Sequence, residues 1–359
     1  MDPAALRAEF PVFERTAYLN AGTCGPLPRG AAQAVADVLA HAASDGRASA
    51  YFAALLEHRD HLRSSYAGLL RAATDDIALT TCTSEGIVRV LAALDLGPGD
   101  EVLTSDEEHP GLQGPLAAAR RQRGIEIRVV AFAQIADAVG PRTKLVACSH
   151  VSWVNGRVVP DLSQLADDVP VLLDGAQGVG AVPTDVAALG CSFYAGPGQK
   201  WLCGPVGSGM LYVAPGWRDR LPATGPTYLN LADPAAGLDA VPQAGAARHD
   251  ASALSLETLA ATTASLGVLG DAGWSAVHER GAALAQQLAD ALGARGREIA
   301  PRDRTTLVSW QEPDPSAARE LLAQAGVIVR DLPGTGLLRA SVGAWNDASD
   351  LDRLLSALP

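Results

Sequence analysis

Two rhythms of apolar and polar positions run along the chain. Residues 31–70 repeat apolar side chains every three to four positions, in AAQAVADVLAHAA and ALLEHRDHLRSSYAGLL, which predicts helix. After them come short, nearly continuous apolar runs: DIALT (76–80), EVLTS (101–105), IEIRVVA (125–131), KLVACS (144–149), VPVLLD (169–174), CSFYA (191–195) and SGMLYVA (208–214). Such runs predict short strands. Helical segments such as EGIVRVLAAL and GLQGPLAAARRQRG lie between them, so a mostly parallel sheet covered by helices is expected. Residues 215–243 turn to Pro, Gly and polar types and predict a long loop. Beyond it two long helical patterns, the strand TLVSW and the segments SAARELLAQAG, VIVRD, LLRASVG and DLDRLLSAL predict a compact α+β unit. The expected division is a large α/β domain over 17–245, with 1–16 and 246–359 forming a smaller one.

Composition narrows the class. The formal charge of -12 disfavours nucleic acid and anionic membrane as partners. No apolar run approaches the ~20 residues of a membrane span, and MDPAALRAEFPVF lacks the basic start and apolar stretch of a secretory signal. A cytoplasmic enzyme acting on a small molecule is the expectation. Cys24, Cys82, Cys148, Cys191 and Cys203 are odd in number, widely spaced and without a C-x-x-C, which argues against disulfides and against a metal site. Cys24 stands out because it lies in the Gly-rich segment NAGTCGPLP.

Candidate chemistry gathers where strands end. The runs DIALT-TCTSEG, LTS-DEEHPG, ACS-HVSWVNG, LLD-GAQG and FYA-GPGQK each place polar residues just after a strand, where α/β sheets bind ligands. Thr83 and Ser84 open a helix and suit a phosphate, or simply cap it. His109 follows three acids and is either a helix-entry residue or a flat ring able to stack on another. Lys200 is one of two lysines against twenty-six arginines. Arg cannot replace an amine that must lose its proton and form a Schiff base. Asp174, closing an apolar strand, is either a turn residue or the partner of a protonated pyridine nitrogen. Together, Asp174 and Lys200 are what a pyridoxal phosphate enzyme requires. Gln177 is then placed to donate to the ring's phenolic oxygen. Arg330 and Arg339 flank DLPGTGLL and either face solvent or converge on one substrate carboxylate. LGPGDE reads as a turn entering a strand and lacks the Gly-rich helix start of a nucleotide site.

The ordered series YLNAGTCGPLP, TCTSEG, DEEHPG, SHVSWVNGRVVP, VLLDGAQGVGAVPTDV, FYAGPGQKWLCGPVGSGMLYV and LLRASVGAWND resembles the class V aminotransferase branch of fold-type I pyridoxal phosphate enzymes. That branch includes cysteine desulfurases, cysteine/cystine C–S lyases, kynureninases, epimerase-like proteins and transaminases. The resemblance implies Lys200 as the Schiff-base lysine, Asp174 as the pyridinium partner, His109 as the stacking ring and Gln177 as the phenolic-oxygen contact. It places Thr83 and Ser84 in the phosphate loop, and Asn20, Trp153, Arg330 and Arg339 around the substrate. A homodimer with the active site at the subunit interface is also implied.

Three departures stand out. Pro197 replaces the usual Ser or Thr three residues before the lysine, and Gln199 replaces the usual His but still donates hydrogen bonds. Ala253, in RHDASALS, replaces a phosphate-binding Thr expected from the partner subunit, with Ser252 or Ser255 nearby to compensate. Desulfurases also carry a nucleophilic Cys shortly before the carboxylate-binding Arg, and 325–338 contains none. With S-H-x-x-W-x-x-G-x-x-x-P, E-H-P-G and an Arg pair nine apart, the pattern is most similar to the C–S lyases. The expected reaction is β-elimination from a cysteine-derived amino acid, through an aminoacrylate, to pyruvate and ammonia. A transaminase or epimerase shares the cofactor residues, and a non-catalytic homologue is the remaining alternative.

Overall fold

The computed structural model describes residues 1–165 and 169–358. Its strands are β1 (Ala17–Tyr18), β2 (Ile77–Thr80), β3 (Glu101–Ser105), β4 (Glu126–Val130), β5 (Thr143–Ser149), β6 (Val171–Asp174), β7 (Phe193–Pro197), β8 (Gly209–Val213), β9 (Leu307–Gln311), β10 (Val327–Ile328), β11 (Arg330–Leu332) and β12 (Leu337–Ser341). The α-helices are α1 (Pro3–Ala8), α2 (Arg29–Ser44), α3 (Ser49–Leu70), α4 (Thr83–Ala93), α5 (Pro110–Arg123), α6 (Leu256–Ala272), α7 (Trp274–Ala294), α8 (Pro315–Gln324) and α9 (Ala348–Ala357).

Seven strands form the main sheet in the order β2-β8-β7-β6-β5-β3-β4. Strand β8 runs against both its neighbours, and the pairs from β7 to β4 are parallel. The central strands are buried along their whole length, so alternate residues feed two cores. Leu103, Val146, Cys148, Leu173 and Tyr194 join Leu62 and Tyr66 of α3 on one face. Val102, Leu145, Ala147, Leu172 and Phe193 join Ile87 of α4 and Leu112 of α5 on the other. The expected α/β architecture is therefore present, with a smaller antiparallel sheet β11-β12-β9 packed beneath α7, α8 and α9.

Local sequence sets several ends that later matter. His109 caps α5, Pro110 fills its first position, and Gly124 stops it with φ 71°. The VIVRD run divides after Ile328. Its first part pairs with β1, and its second turns to β12, putting Arg330 directly opposite Arg339. The 215–243 stretch is loop punctuated by short 3-10 turns, as its composition predicts.

Candidate active site

Strands β3, β5, β6 and β7 are parallel, so their carboxyl ends open into one cleft. Asp174 ends β6 in register with Ser149 of β5 and Ala195 of β7. Its loop is held tightly: Gly175 N donates to Ala195 O at 2.7 Å, and His150 N donates to Asp174 O at 2.8 Å. A Cβ on Gly175 would lie 2.1 Å from the Tyr194 ring, so only glycine fits that turn. Asp174 accepts from Ala176 N through Oδ1 at 2.9 Å. Burial raises its pKa, and the nearby Lys200 opposes the rise. Burial likewise brings Lys200 down to about 8, with Asp174 opposing and Arg339 adding to the fall.

The turn following β1 closes against the lysine. Gly25 N donates to Gln199 O at 2.7 Å, and a Cβ on Gly25 would meet Lys200 O at 2.0 Å. Tyr18 Oη donates to Cys24 O at 2.8 Å and ties the turn down. Cys24 is half-buried, and burial raises its thiol pKa against the pull of Lys200. Gln177 is locked: Nε2 donates to Gly22 O at 2.7 Å, and Oε1 accepts from Trp201 Nε1 at 2.9 Å. Trp201, buried beside the lysine, was not singled out from the sequence, and its adjacency to Lys200 was the available signal.

His109 Nδ1 accepts from Gly111 N at 3.0 Å, which fixes the ring. Burial, then Lys200 and the two arginines, holds its pKa at about 4, so it is neutral at physiological pH. Trp153 meets it edge-on at 5.0 Å. Beneath it Glu108, also not singled out, is buried and accepts from Ser105 Oγ at 2.5 Å, Ser149 Oγ at 2.6 Å and Ser149 N at 3.1 Å. Burial still raises Glu108 to about 7.

Arg330 and Arg339 face each other across β11 and β12. Arg339 is 2% exposed; Nη1 donates to Trp153 O at 2.6 Å and Nε has no partner. Burial and Arg330 press its pKa down to about 9. Among the described residues no carboxylate pairs with either guanidinium. Buried charge of one sign without a counter-ion calls for an anionic ligand.

The phosphate-loop candidates occupy the start of α4. Thr83 is buried and Ser84 Oγ donates to Gly111 O at 2.9 Å, joining α4 to the start of α5. Cys82 supplies no side-chain cap, which leaves first-turn N–H groups available to an anion. Pro197 closes β7 opposite Gly209 of β8, beyond the last residue paired with β6. A strand end open on one side tolerates proline. Ala253 is exposed, Ser252 is half-buried, and Ser255 is used as the N-cap of α6.

The residues fit pyridoxal phosphate. An amine of lowered pKa, a buried carboxylate and a neutral ring lie within electrostatic reach of one another, and Ser84 joins the open start of α4 to the helix that His109 caps. Unpartnered buried atoms of Asn20, Trp153, Gln199 and Arg339 are left for ligands. Fold and site thus define a mixed α/β protein of the fold-type I class with a lysine–aspartate centre. The chain belongs to the class-V aminotransferase family, whose model matches residues 17–354. Structures of the cystine C–S lyase C-DES superpose with a TM-score of 0.89 at 25% identity, covering 97% of this chain and 98% of that one, and 0.90 at 24% identity for its K223A form, covering 98% of each; in the latter, glycine is covalently linked to the PLP cofactor. A probable cysteine desulfurase of Pseudomonas aeruginosa is 31% identical, covering 99% of this chain and 97% of the relative. Isopenicillin N epimerase of Streptomyces clavuligerus is 31% identical over 57% of this chain and 55% of its own length.

Proposed function

We propose that this protein is a pyridoxal phosphate-dependent C–S lyase acting on a cysteine-derived amino acid. The observation that carries the reading is the pair Arg330–Arg339, uncompensated and in cross-strand register, opening toward Lys200. An α-amino acid brings the carboxylate this pair lacks and the amine that exchanges with the lysine. Bound pyridoxal phosphate supplies a conjugated ring that accepts the electron pair of a broken Cα–H bond. Lys200 would hold the cofactor, and its amine, brought by burial to a pKa of about 8, suits taking the Cα proton on Nζ near neutrality. Asp174 would keep the pyridine nitrogen protonated, His109 would cover the ring with a neutral face, and the first turn of α4 at Thr83 and Ser84 would receive the phosphate. Gln177, Gln199 and Asn20 would make hydrogen bonds at the ring and the substrate. Arg339 orients the carboxylate so that the Cα–H bond points to the lysine. Trp153 walls the sulfur side chain.

The absence of cysteine from 325–338 favours a lyase over a desulfurase that needs a protein thiol there. Cystine-type substrates carry their own sulfur leaving group, so elimination ends in pyruvate and ammonia. Supporting a homodimer are Leu39, Phe52 and Leu56, each about half exposed on α2 and α3, and the exposure of Ala253. A second reading, epimerisation, is favoured by the similarity to isopenicillin N epimerase.

The test is purified protein with pyridoxal phosphate and cystine or S-substituted cysteines. Release of pyruvate that disappears in Lys200→Ala supports the lyase. Solvent deuterium entering Cα with inversion and no pyruvate replaces it with the epimerase. Keto acid with pyridoxamine phosphate replaces it with a transaminase.

A further inference from the structure

We propose that Ser341, resting on the functional reading above, is a substrate-positioning residue whose hydroxyl donates to the same carboxylate that Arg339 binds. Strand β12 alternates: Leu338 and Ala340 enter the small-domain core, so Arg339 and Ser341 share the opposite face. Ser341 is fully buried, its backbone N donates to Leu19 O at 2.7 Å, and it bridges Asn20. Its Oγ nevertheless has no hydrogen-bond partner, a costly state for a buried hydroxyl. Arg339 Nε beside it is also unpartnered.

The position of that hydroxyl relative to the site is set by Gly22. A Cβ there would lie 2.7 Å from Ser341 Oγ, 3.0 Å from Arg339 Nη2 and 3.0 Å from Gln177 Oε1. Three polar groups therefore meet at a point kept open by a missing side chain. Arg339 has no lone pair to offer the hydroxyl proton, and Gln177 Oε1, which accepts from Trp201, makes no hydrogen bond to Ser341 Oγ. The group lacking from the cluster is an acceptor carrying negative charge. A substrate carboxylate bound by Arg339 supplies one oxygen to the guanidinium and one to Ser341.

The experiment uses protein loaded with pyridoxal phosphate and follows its visible absorbance on titration with L-alanine, which has no β-leaving group, and with ethylamine, which has no carboxylate. Ser341→Ala is expected to weaken L-alanine binding about tenfold and leave ethylamine unchanged. Its unfolding temperature without ligand should be equal or higher, because an unsatisfied buried hydroxyl has been removed. Equal L-alanine affinity in Ser341→Ala and the parent, or parallel weakening of both ligands with a lowered unfolding temperature, would overturn the assignment. A parent protein that responds to neither ligand would sink the functional reading itself and this one with it.

Discussion

At the scale of single residues, the site is governed by which charges lose water and what they are given in return. Lys200, His109 and Arg339 are all pulled toward their neutral forms by burial, and Asp174 and Glu108 toward theirs. Glu108 has a measurable consequence. Its folded pKa of about 7 lies above the ordinary carboxyl value of 4.5, so the folded chain holds a proton that the unfolded chain releases across that window. Stability from this group is present below about pH 4.5 and falls as pH rises toward 7. Glu108→Gln is expected to flatten this fall in urea unfolding measured at several pH values; an unchanged slope would show that Glu108 ionises normally. Lys200 and His109 were legible in the sequence because their residue types are unusual where they stand. Glu108 was not, since three consecutive acids look alike until β3 and β5 are paired.

At the scale of elements, the segment bearing Ala253 is anchored by an ion cluster. Asp250 accepts from Arg59 at 2.7 Å, from Arg63 at 3.0 and 2.7 Å, and from Leu79 N at 2.8 Å. Two cations of α3 thereby fix the approach to α6 against β2. Asp250→Ala strands both arginines, one of them 4% exposed, and is expected to destabilise by about 3–5 kcal/mol in denaturant unfolding. A loss below about 1 kcal/mol would place the arginines in solvent instead. Strand and helix positions followed from the pattern because buried parallel strands and amphipathic helices have distinct periods. The division of VIVRD did not, because both halves are β-prone and only their partners, β1 and β12, separate them.

For the whole molecule, the long 215–243 loop and the α2–α3 surface leave large apolar side chains in water. Phe52 is 50% and Leu56 51% exposed, one helical turn apart, while Leu238 is fully exposed on the loop. An exposed pair at this spacing on one helix face suits burial against a second copy of the chain. Sedimentation is expected to show a dimer for the parent and a monomer for the Phe52→Glu/Leu56→Glu double variant. Dimer persisting in the variant would move the interface elsewhere.

By itself the sequence determined the layer architecture, since a buried strand or an amphipathic helix is a local statement about water. It also singled out Lys200 and Asp174 as candidates, because an amine that forms a Schiff base must be Lys and strand ends are where α/β sheets bind ligands. What tertiary structure alone decided was adjacency. Gly22, Gln177, Arg339 and Ser341 are remote in sequence yet meet around one missing Cβ. Trp201 orients Gln177 across the same space. Register between strands and the close approach of the Asn20 turn to Lys200 set those meetings, and neither leaves a periodic trace in the chain.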